Sequence, residues 1–250
     1  MHNTQQSPNV LVLDTSNQYC SVALQWRGQV DVRHEWSEQK HSQMILPMVR
    51  SLMAAQAADF AGLDAIAVGI GPGGFTGVRL AVSVAQGLAF AAQKPVLAYS
   101  SLAALAVAGL RDQRENQVIV AMDARMQQVY WAHYQRCGAD WVALVEPSLD
   151  DVAVFVQRLK QVEGACVVVG NAIASFEPIA QICATGQLRV AEVDHSAPQA
   201  QDFLPLINRV WHNGAWQEGV ALSPEQVQPL YVRDKVAKTI AEREADARHE

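Results

Sequence analysis

The sequence predicts an α/β protein made of two copies of a βββαβα unit, and three observations predict it. Each half opens on an apolar run closed by an acid, Val10–Thr15 (VLVLDT) and Val118–Asp123 (VIVAMD). In each half two further short strand-like runs follow across tight turns, so the opening is a three-strand meander. After a helix, each half then has an apolar run carrying a glycine at its end, Ala65–Ile70 and Cys166–Gly170. Any α/β chain repeats strand and helix, but a shared three-strand opening with a terminal acid is more particular. It sets Asp14 opposite Asp123, and Gly69 opposite Gly170, in the two copies.

Taken in order, a polar leader (Met1–Ser7) precedes the first run, which is continuously apolar, as a buried strand is. Asn17 and Gln18 supply a turn, and strands at Cys20–Trp26 and Val30–Trp36 are joined at Arg27 and Gly28. From Ser42 the apolar spacing becomes Ile45, Met48, Val49, Leu52 and Met53, a helical stripe, with Pro47 expected to kink its first turns. The Ala65–Ile70 strand, a glycine loop, a helix over about Thr76–Ala92 and a strand at Pro95–Tyr99 close the first copy.

The second copy follows a helix at about Leu102–Leu110 and a polar break over Arg111–Asn116. Its strands are Val118–Asp123, Val129–Gln135 and Trp141–Val145, then a helix at Asp150–Val162 and the Cys166–Gly170 strand. A helix at Gln199–Trp216, the segment Pro224–Arg233 and a charged tail from Asp234 complete the chain. The expected division is a first domain over 1–107 with 199–233 packing back on it, a second over 108–198, and a solvated tail over 234–250.

Composition excludes several classes. With 50% hydrophobic and 18% charged residues the 250-residue chain is an ordinary globular protein. Its formal charge is −6 with only 19 Lys and Arg, which speaks against this chain gripping nucleic acid unaided. No signal-peptide pattern opens it, and no uninterrupted apolar run reaches the roughly 18 residues of a membrane span. A cytoplasmic protein is expected. Cys20, Cys137, Cys166 and Cys183 form no C-x-x-C pair and are expected to be free thiols.

The glycine loop holds Gly69, Gly71, Gly73, Gly74 and Gly77, five of the chain's 15 glycines. A strand, a glycine loop and a helix N-terminus together gather backbone N–H groups that suit an anion. With Asp14, Thr15 and Ser16, the glycines Gly71, Gly73 and Gly74 are therefore candidate phosphate or nucleotide contacts. No Lys and Ser/Thr follow the last glycine as in a Walker A loop, and close packing accounts for the glycines equally well. Asp14 and Asp123 can be read as magnesium ligands at strand ends or as turn caps; both readings stand for Asp14, and capping is favoured for Asp123.

No two of the seven histidines are spaced for a helix-face metal pair, and His41 has a structural role at the start of the first helix. No serine lies in G-x-S-x-G and no cysteine has a local activating group. The helix after the loop is apolar nearly all round, its polar stripe being Arg79, Ser83 and Gln86. Such a helix must be covered from a second side, and its small residues, with Gly77, Ala81 and Ala85 at every fourth place, let another helix approach closely.

The segments VLVLDTS (Val10–Ser16), HSQMILP (His41–Pro47), GIGPGGFTGVRLAVSVAQGLA (Gly69–Ala89), MDARMQQVYWA (Met122–Ala132) and PLYVR (Pro229–Arg233) closely resemble the TsaB family. That resemblance implies the actin, sugar kinase and heat-shock ATPase fold, with two ribonuclease-H-like domains. It implies a non-catalytic subunit needed to form threonylcarbamoyladenosine in tRNAs that read codons beginning with adenine. The implied partners are the catalytic subunit TsaD and the ATPase TsaE, with self-pairing when alone and tRNA reached only through the complex. ATP and magnesium are implied to serve the complex, the chain having no cofactor or metal of its own. The metal-binding histidine pair of TsaD has no counterpart here, since Ile45 stands four after His41. The family's pairing helix falls on Thr76–Ala92, which assigns Thr76, Gly77, Val78, Ala81, Val82, Ala85, Leu88 and Ala89 to the partner interface. The competing reading is an active small-molecule kinase or a peptidase of the same superfamily.

Overall fold

A computed structural model describes residues 7–233 except 112, 139, 187, 192–195 and 213–220. The expected leader up to residue 6, the end of the predicted Gln199–Trp216 helix and the tail from Asp234 lie outside the described residues.

The first apolar run is strand β1 (Val10–Asp14), wholly buried at the centre of a six-stranded sheet. It pairs antiparallel with β2 (Tyr19–Trp26), which pairs with β3 (Gln29–Trp36). Arg27 and Gly28 have φ of 51° and 81°, the left-handed pair a two-residue hairpin needs. On its other side β1 runs parallel to β4 (Ala65–Gly69), and β4 to β5 (Val96–Tyr99). The second sheet comprises β6 (Gln117–Asp123), β7 (Gln128–Cys137), β8 (Asp140–Asp151), β9 (Cys166–Val169) and β10 (Leu188–Val190). Its order, β10-β9-β6-β7-β8, repeats β5-β4-β1-β2-β3 strand for strand, and β11 (Ala221–Leu222) adds an outer edge to the first sheet. Two such units in one chain make the duplicated ribonuclease-H-like architecture of actin, sugar kinases and heat-shock ATPases.

Helices α1 (His41–Ala55) and α2 (Phe75–Ala92) cover one face of the first sheet, sharing a core with Leu11, Leu13, Leu24, Ile66 and Val68. Helix α3 (Ser101–Gly109), capped by Ser100 Oγ accepting from Leu102 N at 3.2 Å, is apolar all round and lies between the sheets. Its Leu102, Leu105 and Ala106 pack on Val118, Val120 and Val169, while Ala104 packs on Val10, Val12 and Phe203. A Cβ on Gly109 would meet Val169 Cγ1 at 2.5 Å, so this helix sits as close to the second sheet as glycine permits. Helices α4 (Val152–Lys160), α5 (Ala172–Ser175) and α6 (Glu177–Ala184) cover the far face of that sheet.

Two elements depart from the sequence reading. Strand β8 runs on to Asp151 instead of stopping near Val145, because β7 continues opposite it; Pro147 is tolerated on this edge strand. The helix expected from Asp150 therefore starts at Val152. The predicted Gln199–Trp216 helix begins as a 3-10 turn (Ala200–Phe203) before α7 (Leu204–His212). Asp202 reaches back to accept from Gln199 N at 2.9 Å, and Pro205 lacks the N–H that would continue the turn from before it.

Candidate functional site

Asp14 ends β1 with no exposed surface. Its Oδ1 accepts from Ser16 N at 3.0 Å and Ser16 Oγ at 2.8 Å, and its Oδ2 accepts from Ser101 Oγ at 2.7 Å. Burial pushes its pKa above the usual carboxylate range, against the pull of those bonds. Both oxygens are engaged within the protein, so Asp14 caps the β1–β2 turn and ties it to α3. A Cβ at Gly69 would run into Asp14 Oδ2, which explains that glycine.

The glycine loop is likewise occupied by its own chain. Gly71 N donates to Ser101 Oγ at 3.2 Å and Gly74 N to Ser16 O at 2.7 Å. Thr15 is fully buried, its Oγ1 donating to Gly77 O at 2.7 Å. Cβ atoms at Gly73 and Gly77 would collide with the carbonyls of Ser16 and Thr15. These glycines serve close packing of the loop and of the start of α2 against the end of β1. Of the six candidate phosphate contacts, Ser16, Gly73 and Gly74 border open space; Asp14, Thr15 and Gly71 do not. The residues present do not fit a magnesium–nucleotide site of the kind read from sequence.

That open space is a cleft of about 780 Å³ between the two sheets' ends. One wall carries Tyr19, Trp36 and His41, the other Asp123, Arg125, Tyr130 and Asn171. Tyr19 stacks on His34 with centroids 4.4 Å apart and meets Trp36 edge-on at 5.2 Å. His41 Nε2 lies 2.9 Å from Asn17 O and pairs with Ser37 Oγ, a structural bond at the start of α1. Asp123 Oδ1 accepts from Arg125 N at 2.7 Å, the capping role favoured for it. Among the described residues no three His, Cys, Asp or Glu side chains are grouped to hold a metal ion. Burial pushes the thiols of Cys20 and Cys166 up to about 12, so neither is a nucleophile near neutrality.

The third wall was missed by sequence reasoning. The stretch Leu230–Arg233, expected only to pack back on the first domain, crosses the cleft mouth: Leu230 N donates to Ile70 O at 2.8 Å, and Arg233 Nη2 donates to Ala124 O at 2.9 Å and Gln128 Oε1 at 2.7 Å. Nothing in a five-residue segment signals two anchors so far apart in sequence.

For α2 the structure corrects the assignment of its faces. Val78, Ala81, Val82, Ala85 and Ala89, all named for the partner interface, are buried against this chain's own structure. Ala81, Val82, Ala85 and Ala89 join the core of the first sheet, so the small side chains let the sheet, not a partner, come close. Gly77 faces Thr15. Thr76 is exposed and Leu88 half-buried, and with them the outer face presents Phe75, Leu80, Val84, Gly87 and Phe90, the last 77% exposed. By length and composition alone α2 could also cross a membrane, although Arg79, Ser83 and Gln86 interrupt its apolar run.

Comparison with known proteins agrees with this architecture. Residues 32–241 match the family described as TsaD, tRNA N6-adenosine threonylcarbamoyltransferase. The tRNA threonylcarbamoyladenosine biosynthesis protein TsaB of Haemophilus influenzae is 42% identical over 92% of this chain and 96% of its own length. The protein of the same name from Escherichia coli is 34% identical over 91% and 96%. A Pseudomonas aeruginosa crystal structure described as similar to peptidase YEAZ superposes with a TM-score of 0.73 at 35% identity, covering 90% of this chain and 100% of that one. A second structure, YeaZ from Pseudomonas aeruginosa, gives 0.72 at 33% identity, covering 90% and 99%.

Proposed function

This chain belongs to the TsaB family, and from that premise we propose that its part in forming threonylcarbamoyladenosine in tRNA is that of a non-catalytic partner, which positions and activates TsaD. The observation that carries the proposal is the outer face of α2. Leu80, Val84 and Leu88 form an apolar stripe whose last two members are half-buried along the edge of the core, and Phe90 stands 77% exposed on the same outer side as Gly87, while Ala81, Ala85 and Ala89 opposite are seated in that core. The bonds that satisfy Asp14 and the glycine loop internally support the absence of chemistry in this subunit. TsaE joins this pair, ATP and magnesium are used by the assembly, tRNA is reached through it, and the isolated chain pairs with itself over the same stripe in the cytoplasm.

Gly87 offers a clean test, because it is exposed at the middle of that face and a side chain there meets nothing within 4 Å. Gly87→Glu is expected to fold normally, with an unfolding midpoint within about 2 °C of the parent. A carboxylate desolvated at the centre of an interface is expected to weaken TsaD binding by roughly 100-fold or more and to abolish restoration of the modification in depleted cells. Unchanged binding and full restoration would move the interface off α2.

A kinase or peptidase remains the second reading, favoured by the size of the cleft. Low-micromolar, magnesium-dependent ATP binding by the pure chain would support it, and its absence supports the partner role.

A further inference from the structure

We infer that the segment from Val227 to Arg233 is a strap that couples the separation of the two sheets across the cleft to the shape of the outer end of α2. At one end Gln86 Nε2 of α2 donates to Val227 O at 3.1 Å, and Leu230 N is held by Ile70 O. Tyr231 then meets the first turns of α2. Arg79 Nε donates to its hydroxyl at 2.7 Å, and the same guanidinium lies 3.7 Å from the centroid of Phe75. Arg79, Phe75 and Tyr231 thus form one exposed cluster shared by the strap and the helix.

At the other end Arg233 grips the turn between β6 and β7 through Ala124 O and Gln128 Oε1, with its guanidinium 5.8 Å from the Tyr130 ring centroid. Arg125, Met126 and Gln127 in that turn have φ of 64°, 53° and 57°, three successive left-handed residues with no glycine among them. Such a run persists only where its surroundings hold it. Within the second domain it is held by Ala124 N donating to Gln128 O at 3.0 Å, Gln128 N to Arg125 O at 3.0 Å and Val152 N to Gln127 O at 2.9 Å, and from outside that domain by the Arg233 bonds. A pull on Arg233 is therefore transmitted along a chain of seven residues bonded at both ends. Opening the cleft shifts Tyr231, and with it Arg79 and Phe75; a partner that grips Phe75 and Arg79 favours one cleft width. Linkage makes the two effects equal.

Hydrogen exchange on the full chain tests the coupling in both directions. Arg233→Ala is expected to raise exchange at least fivefold in the turn 123–128 and also in 75–79, a segment that Arg233 does not touch and that is joined to it by the strap. Tyr231→Phe removes one exposed hydroxyl and does not endanger folding; it is expected to raise exchange in 123–128. Effects confined to the altered end in both variants would overturn the inference, leaving two independent clasps. If Arg233→Ala fails to fold, Tyr231→Phe alone decides. A final arm rests on the partner reading: Arg233→Ala is expected to weaken TsaD binding severalfold without touching α2. If Gly87→Glu binds TsaD normally, the partner reading fails while the exchange result still judges the strap.

Discussion

Asp14 shows how far a residue's chemistry depends on what surrounds it. A carboxylate ending a central strand can serve a metal or a turn, and its sequence neighbours Thr15 and Ser16 suit either. Ser101, 87 positions on, donates to the second oxygen and so favours the turn. That partner could not be read locally, whereas the Ser16 bonds could. Asp14→Ala would leave the Ser16 and Ser101 donors buried without their acceptor, at a cost of roughly 1–3 kcal/mol. Lost function in that variant would accordingly reflect the fold, and its unfolding midpoint is expected to drop in parallel.

Two histidines give the stability a pH dependence. Burial lowers the pKa of His34, stacked on Tyr19, and of His133, which lies beside Gln117. A depressed folded pKa means stability that is present above the unfolded value, 6.5, and lost as pH falls through the folded one. Asp14 and Asp202, raised by burial, act with the opposite sign: their contribution is full below 3.8 and is lost as pH rises through their folded pKa. A His34→Gln, His133→Gln double variant is therefore expected to lose less stability than the parent between pH 7 and about 5. Parallel unfolding curves in the two proteins would assign the acid sensitivity elsewhere.

At the scale of elements, α2 was legible as a helix. Which of its faces meets the sheet was not. A helix apolar nearly all round gives no amphipathic direction, and alanines suit a close sheet as well as a close helix. The consequence can be measured. Ala85→Glu places an unpaired carboxylate in the core of the first sheet and is expected to cost at least about 3 kcal/mol, lowering the midpoint by roughly 6–12 °C. Gly87→Glu, two residues along and on the other face, is expected to leave it almost unchanged. The left-handed turn after β6 was beyond sequence reading, since Arg125, Met126 and Gln127 carry none of the glycines that announce positive φ. Gln127→Gly is expected to stabilise the chain by up to about 1 kcal/mol, seen as a rise of a few degrees in the midpoint. A fall would show that the turn is not strained.

For the whole molecule, the duplication was readable because it is written in short-range patterns: an acid-closed run, a meander, a glycine-closed run. The identical order of the two sheets follows from them. The cleft was only half readable. Asp14 and Asp123 mark corresponding strand ends, but the strap that roofs the space comes from the far end of the described chain. The ion pair of Arg111 with Asp202 at 2.7 Å likewise joins positions that local pattern cannot connect.

Helix α3 has a consequence for how the gene can vary. Because Leu105 and Ala106 pack in one core and Ala104 in the other, a replacement that suits one sheet has no freedom to adjust toward solvent. Each site in the helix is constrained by two structures that drift separately, and a compensating change in either sheet repairs only half of the damage. Saturation mutagenesis should therefore show Ser101–Gly109 as an unbroken block of intolerance, whereas α1 and α4, each with an exposed side, should show a tolerant position in every turn.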